Sequence, residues 1–268
     1  MNVQIVAIEF IGLLVLDYMN NNNEVMKNTS LDKFLSVSII IPTYNEEKNI
    51  IYVLKKIPNI SNICEIILID GRSVDNTIDF ALSINQDIKV LYQDGKGKGN
   101  AVLCGVNNAQ GEYFLILDAD GSQRPDEIFN FVNCAKKGYD LVKGSRYMNG
   151  GSTLDDTYFR RFLIFLAQNF ANILWGTNYT DIGYGMLLIN RQKFLDLKIE
   201  SQGFQMEWEL MAKAKMHNLK VIEIPCFEEL RRYGNSNLSY IRDGYKIAKI
   251  VFKYSYIMLF KKYKSTGV

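Results

Sequence analysis

Residues 37–57 read VSIIIPTYNEEKNIIYVLKKI, and the order of side chains in this stretch decides the architecture. Residues 37–41 are a β-branched run stopped by Pro42, which has no N–H to offer a continuing ladder. From Glu46 onward, apolar residues recur at Ile50, Val53, Leu54 and Ile57, the spacing of one buried helix face. The stretch therefore reads strand, loop, helix.

The same unit recurs downstream. Residues 65–69 run apolar into Asp70, and a helix is predicted over about 73–83, with Ser73 or Asp75 as its cap. A third strand at 89–92 precedes a glycine-rich loop, a helix over about 100–109 follows, and residues 113–117 lead into Asp118. Alternating strands and helices with nearly continuous apolar strands predict an α/β, Rossmann-like domain whose mostly parallel sheet is flanked by helices on both faces. Ligands in such sheets bind beyond the carboxyl ends of the strands, where Tyr44, Asp70 and Asp118 fall.

Composition agrees with one large globular domain: 268 residues, 48% apolar, with only four prolines. The formal charge of +2 is too small for whole-surface nucleic-acid binding, so no nucleic-acid partner is expected. Cys64, Cys104, Cys134 and Cys226 form no C-x-x-C pair, which argues against a zinc knot or disulfide framework and for a reducing, cytoplasmic setting. His217 is the only histidine, so histidine-rich metal sites are excluded. Residues 3–16 are apolar but interrupted by Glu9, lack a preceding basic region, and fall short of the roughly 20 residues a membrane span needs. Four asparagines at 20–23 open a polar linker running to Ser30.

The second half is less regular. Residues 159–175 predict an unusually apolar helix, 204–216 another, and 221–224 a strand stopped by Pro225. After Ser239, Ile247, Ile250, Val251, Tyr254, Ile257 and Met258 keep helical spacing, while Lys246, Lys249 and Lys253 lie on another face. From Arg242 onward seven Lys or Arg stand against Asp243 alone. This basic amphipathic C-terminal helix reads either as an anchor on a bilayer surface or as a helix lying on its own domain with solvated lysines.

Asp118-Ala119-Asp120 follows an apolar strand. In extended chain both carboxylates point to one side, where hard oxygen ligands hold Mg²⁺ or Mn²⁺ against a diphosphate. Four motifs then stand in order: Ile39-Ile40-Ile41-Pro42-Thr43-Tyr44-Asn45-Glu46-Glu47, Leu68-Ile69-Asp70-Gly71-Arg72-Ser73, Gly95-Lys96-Gly97-Lys98-Gly99-Asn100-Ala101 and Asp118-Ala119-Asp120-Gly121. Together they resemble family 2 glycosyltransferases of the GT-A fold. The resemblance sets a domain at 37–240, after an extension and linker at 1–36 and before a basic amphipathic tail at 241–268.

Gly144-Ser145-Arg146-Tyr147, the pair Arg160-Arg161, Asp181 followed by Gly183, Phe204 with Glu207 and Glu209, and Arg231-Arg232-Tyr233-Gly234-Asn235-Ser236 are similar to the polyprenyl-phosphate branch, which includes dolichyl-phosphate mannose synthases. This likeness implies that Pro42, Tyr44, Glu46 and Asp70 surround the nucleotide, with Lys98 and Ala119 beside it. It implies that Asp118 and Asp120 hold the metal, and that Arg146, Arg161 and Arg231 meet the acceptor phosphate, Arg161 being preferred to its neighbour Arg160. The chain departs from the branch at Ser122, where Gln is common, at Asn237, where Lys is common, and at Phe165, where Ser is common.

The implied activity is metal-dependent, inverting transfer of a sugar from a nucleotide diphosphate sugar, GDP-mannose or a UDP-hexose, to a polyprenyl phosphate. Its setting would be peripheral, at the cytosolic face of a membrane. A phosphate with a second pKa near 6 is already ionised and needs no strong base. A saccharide hydroxyl acceptor, the rival reading, would need Glu207, Glu209 or Asp181 as base. A nucleotidyltransferase and a nucleotide-sugar-binding module without turnover are further alternatives.

Overall fold

In a computed structural model, the structure describes residues 35–234 and 239–260. The expected N-terminal extension and linker, Asn235, Ser236 and Asn237 of the last motif, and the final lysines lie outside the described residues.

Seven strands form the central sheet: β1 (Val37–Thr43), β2 (Ile63–Asp70), β3 (Lys89–Tyr92), β4 (Tyr113–Ile116), β5 (Leu141–Ser145), β7 (Leu187–Asn190) and β8 (Val221–Pro225). Their spatial order is β3-β2-β1-β4-β7-β5-β8. Only β7 runs antiparallel to its neighbours. β6 (Ser152–Thr153) and β9 (Phe227–Glu228) pair separately. The helices are α1 (Glu47–Lys56), α2 (Thr77–Ile84), α3 (Lys98–Asn108), α4 (Ile128–Lys136), α5 (Tyr158–Trp175), α6 (Arg191–Leu197), α7 (Met206–Met216) and α8 (Tyr240–Phe260).

Side chains alternate across the central strands, and both faces are covered. Ile40, Ile67, Ile69, Phe114 and Ile116 join one core cluster, while Val37, Ile39, Ile41, Leu68 and Leu115 join the other. This is the mostly parallel α/β arrangement that the strand–helix alternation predicts. The strands β1, β2 and β4 lie side by side in register, so their carboxyl ends deliver Thr43, Asp70 and the residues after Ile116 to one edge.

Two helices of the second half flank that edge. Thr157 caps α5, its side chain accepting from the Arg160 amide, and Gly176 closes the helix in the left-handed conformation with φ of 63°. Between these ends α5 leaves Phe162, Phe165, Leu166 and Ile173 exposed. In α8 the stripe expected to meet a bilayer is turned inward instead. Val251 and Tyr254 are buried in the core, and Ile247, Ile250, Ile257 and Met258 lie against it. Tyr254 donates to Glu209 at 2.8 Å, and Ser255 accepts from the Trp175 indole at 3.1 Å. The stripe from Ile247 to Met258 thus completes the domain's own core, while Phe252, Tyr256, Leu259 and Phe260 of the same helix stay exposed. Among the described residues no helix is long and apolar enough to cross a membrane.

Removing Tyr254 leaves a cavity and frees Glu209 of one donor. Tyr254→Ala should lower unfolding free energy by about 3–5 kcal/mol, read as a shift in denaturation midpoint, whereas Tyr256→Ala at an exposed position of the same helix should change it little.

Candidate active site

The carboxyl ends of β1, β2 and β4 open into a cleft of about 900 Å³ that continues between α5 and α8. At the sheet end it is lined by Pro42, Tyr44, Glu46, Lys98, Asp118, Ala119, Asp120, Glu207 and Arg231; at the helix end, by Arg160, Leu163, Ala167, Ile247, Val251 and Phe252. Polar and apolar substrate parts thus have separate places in one continuous space.

Every carboxylate at the sheet end is matched by a cation of the chain. Lys98, at the start of α3, pairs with Asp118 at 2.7 Å and with Glu207 at 3.3 Å. Burial works against the Lys98 ammonium, but the charges of Asp118 and Glu207 overcome it and hold the group well above its ordinary pKa. Asp120 pairs with Arg231 at 2.5 Å, and Arg231 also reaches Glu46 at 3.4 Å. Burial, together with the charges of Asp120 and Asp118, raises the Glu46 carboxyl.

Gln123 fixes Asp118 from both sides, donating to its Oδ2 at 2.7 Å and accepting from its amide at 2.9 Å. Asp120 is oriented by Ser122, whose amide and hydroxyl donate to one carboxylate oxygen at 2.9 and 2.8 Å. Ser122, a departure from the branch pattern, and Gln123 beside it thus serve to orient the aspartates. A Cβ on Gly185 would meet the ends of the Lys98, Asp118 and Gln123 side chains, 2.6 Å from Asp118 Oδ2, so a larger residue there would have to displace them.

The aspartates suit a hard divalent cation, because two carboxylates plus diphosphate and water oxygens make up the coordination such ions prefer. Among the described residues no group of three or more His, Cys, Asp or Glu forms a closed metal cage, so the remaining ligands would have to come from substrate and solvent. Tyr44 and Pro42 line the cleft as expected. Asp70 does not: it is fully buried, and both its oxygens accept from Ser73, at 2.8 Å from the amide and 2.6 Å from the hydroxyl. Its part is to shape the loop after β2.

Glu209, Arg146 and Arg161 also depart from expectation. Glu209 faces away from the cleft. It accepts from the amides of Glu200 and Ser201 and from Tyr254, and pairs with Lys213 at 2.7 Å. Burial raises its carboxyl, but hydrogen bonds from Lys213, Ser201 and Tyr254 outweigh this and bring its pKa to about 2. Glu207, two residues earlier, lies on the opposite side of the helix and faces in. Its Oε1 meets Lys98, and its Oε2 is buried with no hydrogen-bond partner. Burial is the main cause of its raised pKa.

Arg146 lines the cleft but is already committed. It is 4% exposed, chelates Asp181 at 2.7 and 3.0 Å, and donates to Glu228 at 3.0 Å and Asp156 at 3.4 Å. The three carboxylates leave no free fork for a phosphate. Arg161 lies off the cleft, donating to the Thr153 carbonyl. Arg160 takes its place in the lining, held by Asp156 at 2.8 Å and Asp155 at 3.5 Å. The sequence offered no means of choosing between adjacent arginines at the start of a helix, since one residue is a turn of about 100°. That Asp156 and Glu228 hold Arg146 escaped sequence reasoning, because the three come together only through the fold; Asp156 was within reach of Arg160 by its i, i+4 spacing.

The chain belongs to glycosyl transferase family 2, whose pattern it matches over residues 38–198. Among curated proteins, it is 29% identical over 228 residues to a dolichol-phosphate mannosyltransferase of Pyrococcus furiosus, covering 80% of this chain and 64% of that one. It is also 29% identical over 226 residues to a polyprenol monophosphomannose synthase of Mycolicibacterium smegmatis, covering 80% of this chain and 84% of that protein. The chain thus spans less than two thirds of the archaeal relative and most of the bacterial one. A crystal structure of glucosyl-3-phosphoglycerate synthase from Mycobacterium tuberculosis, in complex with Mn²⁺, uridine diphosphate and glucosyl-3-phosphoglycerate, shares the fold with a TM-score of 0.64 at 18% identity, covering 82% of this chain and 80% of that one.

Because Arg146 neutralises buried carboxylates, its loss should be felt first as instability. Arg146→Ala should cost about 3–5 kcal/mol at pH 7.5. The deficit should shrink toward pH 5. Burial already raises the Glu228 carboxyl and the Arg146 charge works against that rise, so losing the guanidinium raises it further; the folded form then binds more protons than the unfolded one and gains stability as pH falls. Urea titrations at the two pH values measure both effects.

Proposed function

We propose that the protein transfers one sugar from a nucleotide diphosphate sugar to a polyprenyl phosphate, with inversion, using Mg²⁺ or Mn²⁺. The observation that carries this reading is the form of the cleft. A polar end built on Asp118, Asp120, Lys98 and Arg231 runs into an apolar passage between α5 and α8, with Arg160 at the junction. A lipid phosphate has that same division of polar head and apolar tail. The relatives named for dolichol phosphate and polyprenol products support the acceptor class.

On this reading the nucleotide lies near Pro42 and Tyr44, and Asp118 and Asp120 hold the metal, which when bound neutralises charge on the departing diphosphate. Lys98 stands beside Asp118, and Arg231, expected at the acceptor phosphate, pairs instead with Asp120 at 2.5 Å and Glu46 at 3.4 Å, so both would add positive charge where the diphosphate sits. Arg160 lines the cleft while Asp156 and Asp155 hold its Nε and Nη1, and it would meet the acceptor phosphate through the rest of its guanidinium. Arg242, at the mouth of the cleft, offers a second cation. Glu207 keeps Lys98 charged and directed at Asp118. The rival saccharide-hydroxyl reading is less well served. Asp181 and Glu209 are held in buried networks, leaving Glu207 as the one base candidate of the three, and it is paired with Lys98.

A lipid acceptor requires an approach to a membrane. The exposed side of α5, with Phe162, Phe165 and Ile173, continues to Phe252 of α8, whose ring meets Phe170 edge-on at 5.6 Å. Lys249 and Lys253 lie on exposed positions nearby in the chain. This surface, rather than the inward stripe of α8, is the proposed contact with the cytosolic face of a membrane.

Incubation with Mn²⁺, a panel of nucleotide sugars and a short polyprenyl phosphate, followed by mass analysis, tests the assignment; product only on oligosaccharide would overturn it. Asp120→Asn or excess EDTA should lower turnover by about 10²-fold or more. Arg160→Ala should raise the acceptor KM by roughly 10- to 150-fold, the equivalent of a charge-assisted hydrogen bond of about 1.5–3 kcal/mol, while Arg161→Ala changes it far less. Phe162→Glu with Phe165→Glu should reduce co-sedimentation with anionic liposomes and leave turnover of a short, water-soluble acceptor intact.

A further inference from the structure

Lys143 plays no part in the proposed transfer chemistry. It lies in β5, in register with Leu187 of β7 and Glu223 of β8, and is fully buried. The other buried cations are paired: Lys98 with Asp118, Arg146 with Asp181 and Lys213 with Glu209. Lys143 instead donates to the backbone carbonyl of Tyr184, with the Tyr184 ring 5.7 Å away. A buried cation without an ion pair is costly, and an apolar side chain would fill the space more cheaply.

The carbonyl it holds belongs to a segment gripped along its length. Glu223, beside Lys143 on the next strand, accepts from the amides of Thr180 at 2.8 Å and Asp181 at 3.0 Å. Gln168 of α5 accepts from the Ile182 amide at 3.1 Å and donates to the Thr180 carbonyl at 2.7 Å. Lys143 takes the far end. At one end of this segment Asp181 chelates Arg146; at the other, Gly185 lies against Asp118, and Gly183, Tyr184 and Gly185 line the cleft. The segment is the wall joining the two halves of the site.

We propose that Lys143 is a positioning residue whose buried ammonium holds the 180–185 segment in register between the donor and acceptor ends of the cleft, and so sets the separation of the two reactants. This rests on the proposed transfer reaction for its kinetic consequence, but its structural part stands alone. The groups facing the ammonium are Asp181 from the wall, Glu207 from α7, Glu223 from β8, Arg146 from the end of β5 and Cys226 after β8. Burial depresses its pKa, the carboxylates only partly restore it, and it comes to about 8.

The test compares Lys143→Met and Lys143→Arg. In Lys143→Met, amide hydrogen exchange at pH 7 should quicken about tenfold or more in peptides covering 180–186 and stay unchanged in β1 and β4. Its kcat should fall about 10- to 100-fold, the effect of a displacement of about 1 Å, with the donor Kd by calorimetry within about threefold of wild type. Lys143→Arg, which keeps the charge, should restore protection and bring kcat to within about fivefold of wild type. Wild-type kcat should decline above about pH 8 as the ammonium is lost, and Lys143→Arg should move that decline upward. Unchanged exchange in Lys143→Met overturns the proposal, as does an equal kcat loss in both variants with identical pH profiles. Should Lys143→Met fail to fold, Lys143→Gln, which removes the charge with less change of polarity, takes its place in the same comparison, and unchanged exchange there overturns the proposal. Exchange needs no substrate, so a wild type without turnover would tell against the transferase reading while the exchange result still decides the role of Lys143.

Discussion

Charge taken out of water has to be matched, and in this protein the matching organises the site. Asp118 and Asp120 stand where a strand buried on both faces runs out, with 26% and 12% of their side chains exposed, so water solvates neither fully. Lys98 arrives from the start of α3 and Arg231 from the loop after β9, each closing on one aspartate. Stranding one partner of such a pair costs more than the pair itself contributes. Removing any member of the set leaves the others in a worse environment, so these loops are held in place by the same charges that the proposed reaction assigns to substrate.

The same constraint explains why apparently equivalent residues take different parts. Glu207 and Glu209 lie two apart on α7, and the helix sends them to opposite sides. One keeps a lysine directed at the cleft with an oxygen to spare; the other ties α7 to α8 through Tyr254 and pairs with Lys213 one turn along α7. Arg146 and Arg160 divide likewise. Three carboxylates immobilise Arg146, and that rigid centre supports Arg160, which shares Asp156 with it and reaches the cleft.

Where apolar surface went is equally consequential. α8 spends its regular stripe on the domain core, and α5 keeps an aromatic face outside. The inward stripe is not free to meet a bilayer, and the apolar surface left exposed is the one α5 and the outer residues of α8 make together. The apolar passage of the cleft opens between these two helices.

Much of this was legible in the residues themselves. The strand–helix alternation from Val37 to Ile116 dictates a covered parallel sheet, since runs such as Ile39-Ile40-Ile41 have no polar face to give to water. Asp118-Ala119-Asp120 at a strand end dictates a paired carboxylate site, since the pleat returns side chains to one side every second residue. Which cation meets which carboxylate is another matter. Asp156, Asp181 and Glu228 reach Arg146 across 10, 35 and 82 residues of chain. Lys143 reaches Tyr184 across 41. Periodicity reports only on neighbours along one element, so it separates buried faces from exposed ones but is silent on contacts closed by loops. The orientation of Glu207, the captivity of Arg146, the inward turn of α8 and the wall held by Lys143 all depend on such long-range closures, and only the tertiary structure decided them.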